Sequence, residues 1–174
     1  MTKNSIKITS GIYRSRAITT PGGKTHPMGE RERLALFNMI SDYIPGAVLL
    51  DAFSGSGSLG IEALSRGAEE VTFIENNSNA IKTIKDNLAA LGAEGEVVGS
   101  KVSTFSTDKV FDVVLADPPY DDFRINEVFH LLQFLKEGGV FVLSHPGEVP
   151  DLPGMKLDKS RKYAGATISI YFKK

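Results

Sequence analysis

Asp51-Ala52-Phe53-Ser54-Gly55-Ser56-Gly57-Ser58-Leu59-Gly60 follows the apolar run Ala47-Val48-Leu49-Leu50 and leads into Ile61-Glu62-Ala63-Leu64-Ser65-Arg66-Gly67. A continuous apolar run bounded by turn residues predicts a buried parallel strand, and the later run closed by Gly67 predicts a helix. Glycine has no Cβ, so the segment between them turns tightly and lets the chain approach a ligand at a helix N-terminus. Gly55-x-Gly57-x-x-Gly60 also spells the dinucleotide fingerprint, with Glu75 in the place of its ribose acid. The offset separates the readings. In a dinucleotide site the first glycine directly follows the strand and a pyrophosphate sits on the helix N-terminus. Here Asp51-Ala52-Phe53-Ser54 intervenes, and a carboxylate at a strand end repels a pyrophosphate and suits an amino group or a sulfonium. The plain alternative is a strand-turn-helix with a capping Asp.

Downstream, Val71-Thr72-Phe73-Ile74-Glu75 is a second buried strand closing on an acid. Asn76-Asn77-Ser78 offers N-cap chemistry, and Ile81, Ile84, Leu88 and Leu91 form one helical stripe ending at Gly92. An acid at the end of this strand, beside the glycine turn, is where a ribose presents its diol, so Glu75 is the candidate for it. Residues 94–98 read as a weak third strand and 102–108 as ambiguous. Phe111-Asp112-Val113-Val114-Leu115-Ala116 is a clear fourth, delivering Asp117-Pro118-Pro119-Tyr120. A helix over 125–135, a strand over 140–144 and two closing strands around Tyr163-Ala164-Gly165-Ala166 complete the pattern, the last one antiparallel by its alternation. Strands and helices alternating in this way predict an α/β chain with a mostly parallel, doubly wound sheet, whose ligands bind at the carboxyl ends of the strands. Asp51, Glu75 and Asp117 all stand at such ends.

Upstream, residues 6–9 and 12–19 alternate apolar with polar or basic side chains across Ser10-Gly11, a hairpin pattern that puts Arg14 and Arg16 on one face. Pro21 to Pro27 is a loop, and 30–44 carries Leu34, Phe37, Ile40 and Ile44 at helical spacing. Arg31 and Arg33 in the first turn of that helix oppose its dipole, which points to an anionic ligand as the reason for keeping them. An appendage over residues 1–29 and a main domain over 30–174 follow.

The 174 residues suit one such domain, at 41% hydrophobic and 24% charged. No apolar run approaches the roughly 20 residues of a membrane span, the N-terminus lacks a signal-peptide core, and no Cys is present for a disulfide or thiolate metal site. A cytoplasmic protein without a metal is expected. The net charge of −1 hides a segregation. Residues 1–33 carry seven Lys or Arg against two Glu, residues 155–174 carry six against one Asp, and the middle is acidic. If both basic ends share a face, they form the electrostatic footprint of a nucleic-acid binder, with Arg14, Arg16, Lys24, Arg31, Arg33 and the C-terminal strands as phosphate contacts. Basic solvated tails are the alternative.

Asp117-Pro118-Pro119-Tyr120 carries the chemistry. Two prolines fix φ and remove two backbone donors, which leaves a stiff segment offering a carboxylate and a carbonyl as acceptors for an NH2 group. Tyr120 supplies a flat ring for a planar base, a stacking contact of roughly 1–3 kcal/mol.

Asp51-x-x-x-Gly55-x-Gly57 paired with Asp117-Pro118-Pro119-Tyr120 resembles the Rossmann-type S-adenosylmethionine-dependent amino methyltransferases. Gly11-Ile12-Tyr13-Arg14-Ser15-Arg16, Thr25-x-Pro27 leading to Arg31-x-Arg33, residues 50–68 and Lys162-Tyr163 resemble the RsmD family within them, over nearly the whole chain. The resemblance implies a seven-stranded sheet with an antiparallel last strand. It also implies S-adenosylmethionine as cofactor, held by Asp51, Phe53, Ser54, Gly55, Gly57, Glu75, Asn76 and Asp117. Its further implications are catalysis by Asp117, Pro118, Pro119 and Tyr120, and methylation of a guanine N2 in bacterial 16S rRNA, presented naked, in the small subunit or in an assembly intermediate, by a monomer. The chain departs from the family's pattern at His26 and Met28, at Lys101 after the third strand, and at His145, where relatives carry a glutamate. Competing readings are an adenine-N6 methyltransferase, a protein-glutamine methyltransferase (more often Asn at position 117), an NAD oxidoreductase and a silent RNA-binding assembly factor.

Overall fold

The computed structural model describes residues 4–23 and 27–174; Lys24 and His26, both singled out above, lie outside them. The elements run β1 (Ser5–Lys7), β2 (Ala17–Thr19), α1 (Glu30–Met39), β3 (Val48–Ala52), α2 (Ser58–Ser65), β4 (Glu70–Glu75), α3 (Ser78–Leu91), β5 (Glu96–Gly99), β6 (Phe111–Ala116), α4 (Ile125–Leu132), β7 (Leu135–His145), β8 (Met155–Lys162) and β9 (Thr167–Lys173), with short 3-10 turns at 41–43, 102–104 and 120–122. Seven strands form one sheet in the order β5-β4-β3-β6-β7-β9-β8. β9 alone runs against the others, between β7 and β8. The doubly wound, Rossmann-like sheet with an antiparallel last strand is therefore as the sequence predicts, and so is a small antiparallel hairpin of β1 with β2.

Side chains alternate across the sheet into two apolar layers. Leu49, Phe73, Val113, Val142 and Ile170 pack against α1, α2 and α3, while Leu50, Ile74, Val114, Phe141 and Tyr171 pack against α4 and the turn at 102–104. Gly60 shows how close the first layer lies, since a Cβ there would sit 2.3 Å from the Phe73 ring. α3 is capped by the Asn77 side chain, which accepts from Ala80 N, and it stops at Gly92 in the left-handed region, φ 66°. Among the described residues no helix is long and apolar enough to cross a membrane.

Three element boundaries differ from the sequence pattern. The helix expected over 30–44 breaks at Ile40, where Tyr43 N donates to Ile40 O and a 3-10 turn takes over, although Ile40 and Ile44 stay buried as their spacing required. α4 ends at Leu132, and β7 already begins at Leu135, because the Lys173 ammonium donates to the carbonyls of Leu132 (3.1 Å) and Leu135 (2.5 Å) and holds the chain end there. The strand expected over 12–19 is only Ala17–Thr19, and Arg14 lies in a turn, not on a strand face.

The hairpin is built into the core. Ile8 and Ile18 belong to the same buried cluster as Phe37 and Ile61. Thr9 N and Ser10 N donate to Glu62, a side chain with no exposed surface, as does Thr9 Oγ1 at 2.5 Å. The same carboxylate takes Arg33 Nε at 3.4 Å and Arg66 Nε at 3.1 Å. Arg33 spends its other nitrogens on the carbonyls of Lys7 and Met28, and the Arg66 guanidinium lies 5.0 Å over the Phe37 ring. Removing one partner of a buried ionic group strands the others, at a cost of about 3–5 kcal/mol. Glu62→Ala is accordingly expected to lose stability of that order in chemical denaturation. Deletion of residues 1–24 should abolish folding and cofactor binding together; a deletion that left a stable, cofactor-binding domain would show the hairpin to be dispensable.

Candidate active site

The chain passes from β3 to β4 and β5 on one side, then returns to β6 and β7 on the other. The crevice between β3 and β6 is thus the point where strand order reverses, and open α/β sheets hold ligands there. Asp51 is opposite Leu115 near the end of β3, Glu75 ends β4, and Asp117 follows β6, so the three acids stand on one rim of three adjacent strands.

Each acid has a different surrounding. Asp51 is 1% exposed, and its Oδ2 accepts from Gly60 N at 2.9 Å. Burial pushes its carboxyl up to about 8, the Gly60 N–H works against that, and the charges of Asp117 and Glu75 push it further up. A direct pairing of Asp51 with a cationic ligand is not what this geometry offers first: the side chain is turned inward and one oxygen is committed to α2. Glu75 is half-buried and organises the loop, accepting Gly55 N (2.8 Å) on one oxygen and Asn76 N and Asn77 N (both 2.9 Å) on the other. Asn76 contributes here through its backbone.

The loop between is wound tightly. Phe53, at φ 60°, holds a left-handed backbone that L residues rarely adopt, followed by Gly55 at 55° and Gly57 at 80°. It is fixed by Ser54 N to Ile74 O, Ser54 Oγ to Asp51 O at 2.7 Å, and Gly57 N to Ser54 O. A Cβ on Gly57 would press Ile84 at 3.3 Å, whereas one on Gly55 would meet nothing within 4 Å, so the loop is packed below and open above. Sequence reasoning missed Asn87, an amide on the buried stripe of α3. Asn87 exchanges two hydrogen bonds with the backbone of Thr19 and donates to Ser56 O at 3.1 Å, joining the hairpin to the glycine turn. Among the described residues, the buried Ser56 hydroxyl has no partner. The open loop, with the acceptors Glu75 and Asp117 beside it, fits a ligand that carries a cationic group and a ribose.

Asp117 is half-buried, and burial pushes its carboxyl up to about 6, with the hydroxyls of Ser144 and Tyr120 beside it holding it lower than burial alone would. Pro118 is buried, Pro119 is exposed, and Pro119 at φ −63° starts the 3-10 turn that carries Tyr120. The Tyr120 hydroxyl is hydrogen-bonded to Ser144, a buried serine of β7 that sequence reasoning also missed. Burial, Asp117 and, more weakly, Glu32 in the first turn of α1 push the phenol up to about 12, so it stays neutral. α1 therefore opens onto the same rim.

The predicted cations are dispersed. Arg33 is in the core, paired with Glu62, and cannot meet a substrate. Arg14 lies in the turn whose Ile12 N and Tyr13 N bond to Ser65, at the end of α2 where the strands begin, and Arg16 donates to Ala90 O at the corresponding end of α3. Both are at the opposite end of the sheet from Asp117. Arg31 is exposed in the first turn of α1, on the rim side. Lys101 is exposed, and His145 is buried with Nε2 2.8 Å from Ser169 Oγ. Met28 packs against the first apolar layer.

The family model described as "Conserved hypothetical protein 95" matches residues 6–172. Bacillus subtilis YlbH is 31% identical over 183 residues, covering 97% of this chain and all of its own. "Ribosomal RNA small subunit methyltransferase D" of Escherichia coli is 36% identical over 132 residues, 74% of this chain and 67% of its own. The solved structure of Escherichia coli yhhF superposes with a TM-score of 0.89 at 30% identity, covering 98% of this chain and 99% of that one.

Asp51 makes stability depend on pH. Its folded value lies above the ordinary 3.8, so the folded state holds the proton that the unfolded state releases. The stability this contributes is fully present below about pH 4 and is lost as pH rises towards 8. Asp51→Asn, which cannot ionise, should therefore gain on the parent protein as pH rises from 5 to 8, measured by thermal unfolding of both; parallel curves would mean that Asp51 is not the group responsible.

Proposed function

The chain belongs to the Conserved hypothetical protein 95 family, the RsmD family of rRNA methyltransferases, and from that premise we propose that it methylates the exocyclic N2 of a guanine in bacterial small-subunit rRNA. It is an rRNA methyltransferase, and S-adenosylmethionine is its cofactor. The observation that carries the finer reading is the placing of Asp117-Pro118-Pro119-Tyr120 at the crevice between β3 and β6, beside the open glycine turn.

S-adenosylmethionine supplies an electrophilic methyl on a sulfonium. Glu75 and the loop from Phe53 to Gly57 would hold its ribose end, and the carboxylates of the rim favour its positive groups. A guanine amino nitrogen is a poor nucleophile because its lone pair is delocalised into the ring. Asp117 and the carbonyl of Pro118, accepting the two amine hydrogens, would direct that lone pair outward to the methyl. As the N–C bond forms, the methyl's bond to sulfur would break with its electron pair left on the neutral thioether, and the surplus proton on nitrogen would pass to Asp117 and then to water. Tyr120, held by Ser144, presents its ring to the face of the base. Position and preorganised charge carry such a reaction, and no covalent enzyme intermediate is required. An amine must leave its stack to reach this rim, so the target guanine is splayed from its strand, which is easiest in a loop or single-stranded segment. The reading takes the protein to act as a monomer.

An ionised Asp117 is the stronger acceptor for the amine hydrogens and, unlike the neutral acid, sets no O–H against them, so single-turnover methyl transfer should fall as pH drops through about 6. Asp117→Ala should lose two or more orders of magnitude, on the order of 2.7 kcal/mol of barrier, with Asp117→Asn milder and free of the acid limb. Tyr120→Ala should weaken base binding by roughly 1–3 kcal/mol while Tyr120→Phe keeps most activity. Cofactor affinity should change little in both Tyr120 variants. A fully active Asp117→Ala would place the chemistry elsewhere.

A further inference from the structure

We propose that the free edge of the sheet, β8, is the surface that holds the RNA backbone, with Lys156, Lys159 and Arg161 leading the strand to Tyr120; this rests on the reading above that the substrate is RNA. Residues directly opposite in antiparallel strands share a face. Arg161 is opposite Ile168, and Ile168 is opposite Ser144. Ser144, which bonds the Tyr120 hydroxyl, thus forms one row with Arg161 across three strands. At the usual strand spacing the Arg161 backbone is about 10 Å from that of Ser144. The rows below repeat the arrangement, Lys159 beside Ile170 and Val142, then Lys156 beside Phe172 and Val140. Ile168, Ile170 and Val142 belong to the layer under α1, so the three cations line the same face as the helix whose first turn approaches Tyr120.

Direction agrees with placement. β8 is antiparallel to β9, which is antiparallel to β7, so β8 rises with the parallel strands towards the rim of acids. It is last in strand order, and Lys156 through Lys162 are exposed. Among the described residues, Lys156, Arg161 and Lys162 have no carboxylate in ion-pair range, and Lys159 has only its neighbour Asp158 at 3.7 Å. At the other basic end of the chain Arg33 is in the core and Arg14 and Arg16 are at the far end of the sheet, while Arg31 is exposed on the rim side. A polyanion is the occupant this edge fits. A second copy adding its own β8 would bring like charges together across the new pair, which is unfavourable.

The test measures binding of in-vitro transcribed bacterial 16S rRNA against salt for the parent protein, Lys156→Gln/Lys159→Gln/Arg161→Gln, Arg161→Lys, and Arg14→Gln/Arg16→Gln. Each lost phosphate contact lowers the slope of log affinity against log salt by about 0.7 for single strands, so the triple variant should lose about 2. Its KM for RNA should rise with kcat unchanged, and an unaltered S-adenosylmethionine affinity shows that it is folded. Arg161→Lys should keep the parent slope, and so should the Arg14/Arg16 pair. A triple variant with the parent slope, or a loss carried by Arg14 and Arg16 instead, overturns the assignment of β8 and leaves the RNA substrate standing. A parent protein that shows no salt-dependent binding to the transcript, to the small subunit or to its assembly intermediates overturns both.

Discussion

A carboxylate with no water around it governs how the pieces of this protein meet. Glu62 is fully buried on α2 and takes donors from Thr9, Ser10, Arg33 and Arg66. Ionic groups in an interior lose their hydration, and they persist only where hydrogen bonds replace it on every side. That requirement clamps the hairpin, α1 and α2 into one arrangement. α2 begins at the glycine turn and α1 opens beside Tyr120, so the position of both walls of the crevice follows from a contact that touches neither ligand nor substrate.

The rim itself is short of positive charge. Asp51, Asp117 and Glu75 stand on adjacent strands; burial raises Asp117 to about 6, and burial with the charges of Asp117 and Glu75 raises Asp51 to about 8. Such a site gains most from a ligand that brings a cation, because the ligand relieves a repulsion that the fold imposes. The acids also differ in what they do: Asp51 ties β3 to α2 through Gly60, Glu75 ties β4 to the loop through Gly55, and Asp117 keeps its oxygens near two hydroxyls at the mouth.

Local order made much of this legible. Each acid lies within a few residues of its own apolar run in β3, β4 or β6, so the strand pattern alone placed Asp51, Glu75 and Asp117 together. What escaped was set by distant partners. Arg33 reads as a cation kept for an anionic ligand until Glu62, 29 residues away, is brought against it. The hairpin looked like a detachable arm because its anchor to Glu62 spans 53 residues. Asn87 and Ser144 carry no local signature at all; each is a polar residue on the buried side of its element, and its meaning appears only when Thr19 or Tyr120 arrives. Ile40 continued a helical spacing that the backbone abandons, since burial of Ile44 is served equally well by a 3-10 turn.

The insertion of β9 between β7 and β8 leaves a chain edge whose backbone groups face solvent along eight residues. An open edge of that length invites another strand, and unpaired edges are where β-proteins aggregate. Lys156, Lys159, Arg161 and Lys162, with the irregular register between Leu157 and Lys159, make the edge hostile to such pairing. The exposed Leu157 beside them, 45% accessible, is the residue that most needs that protection. The cations of β8 consequently serve solubility whatever else they bind, and their removal exposes the protein to its own copies as soon as it is concentrated.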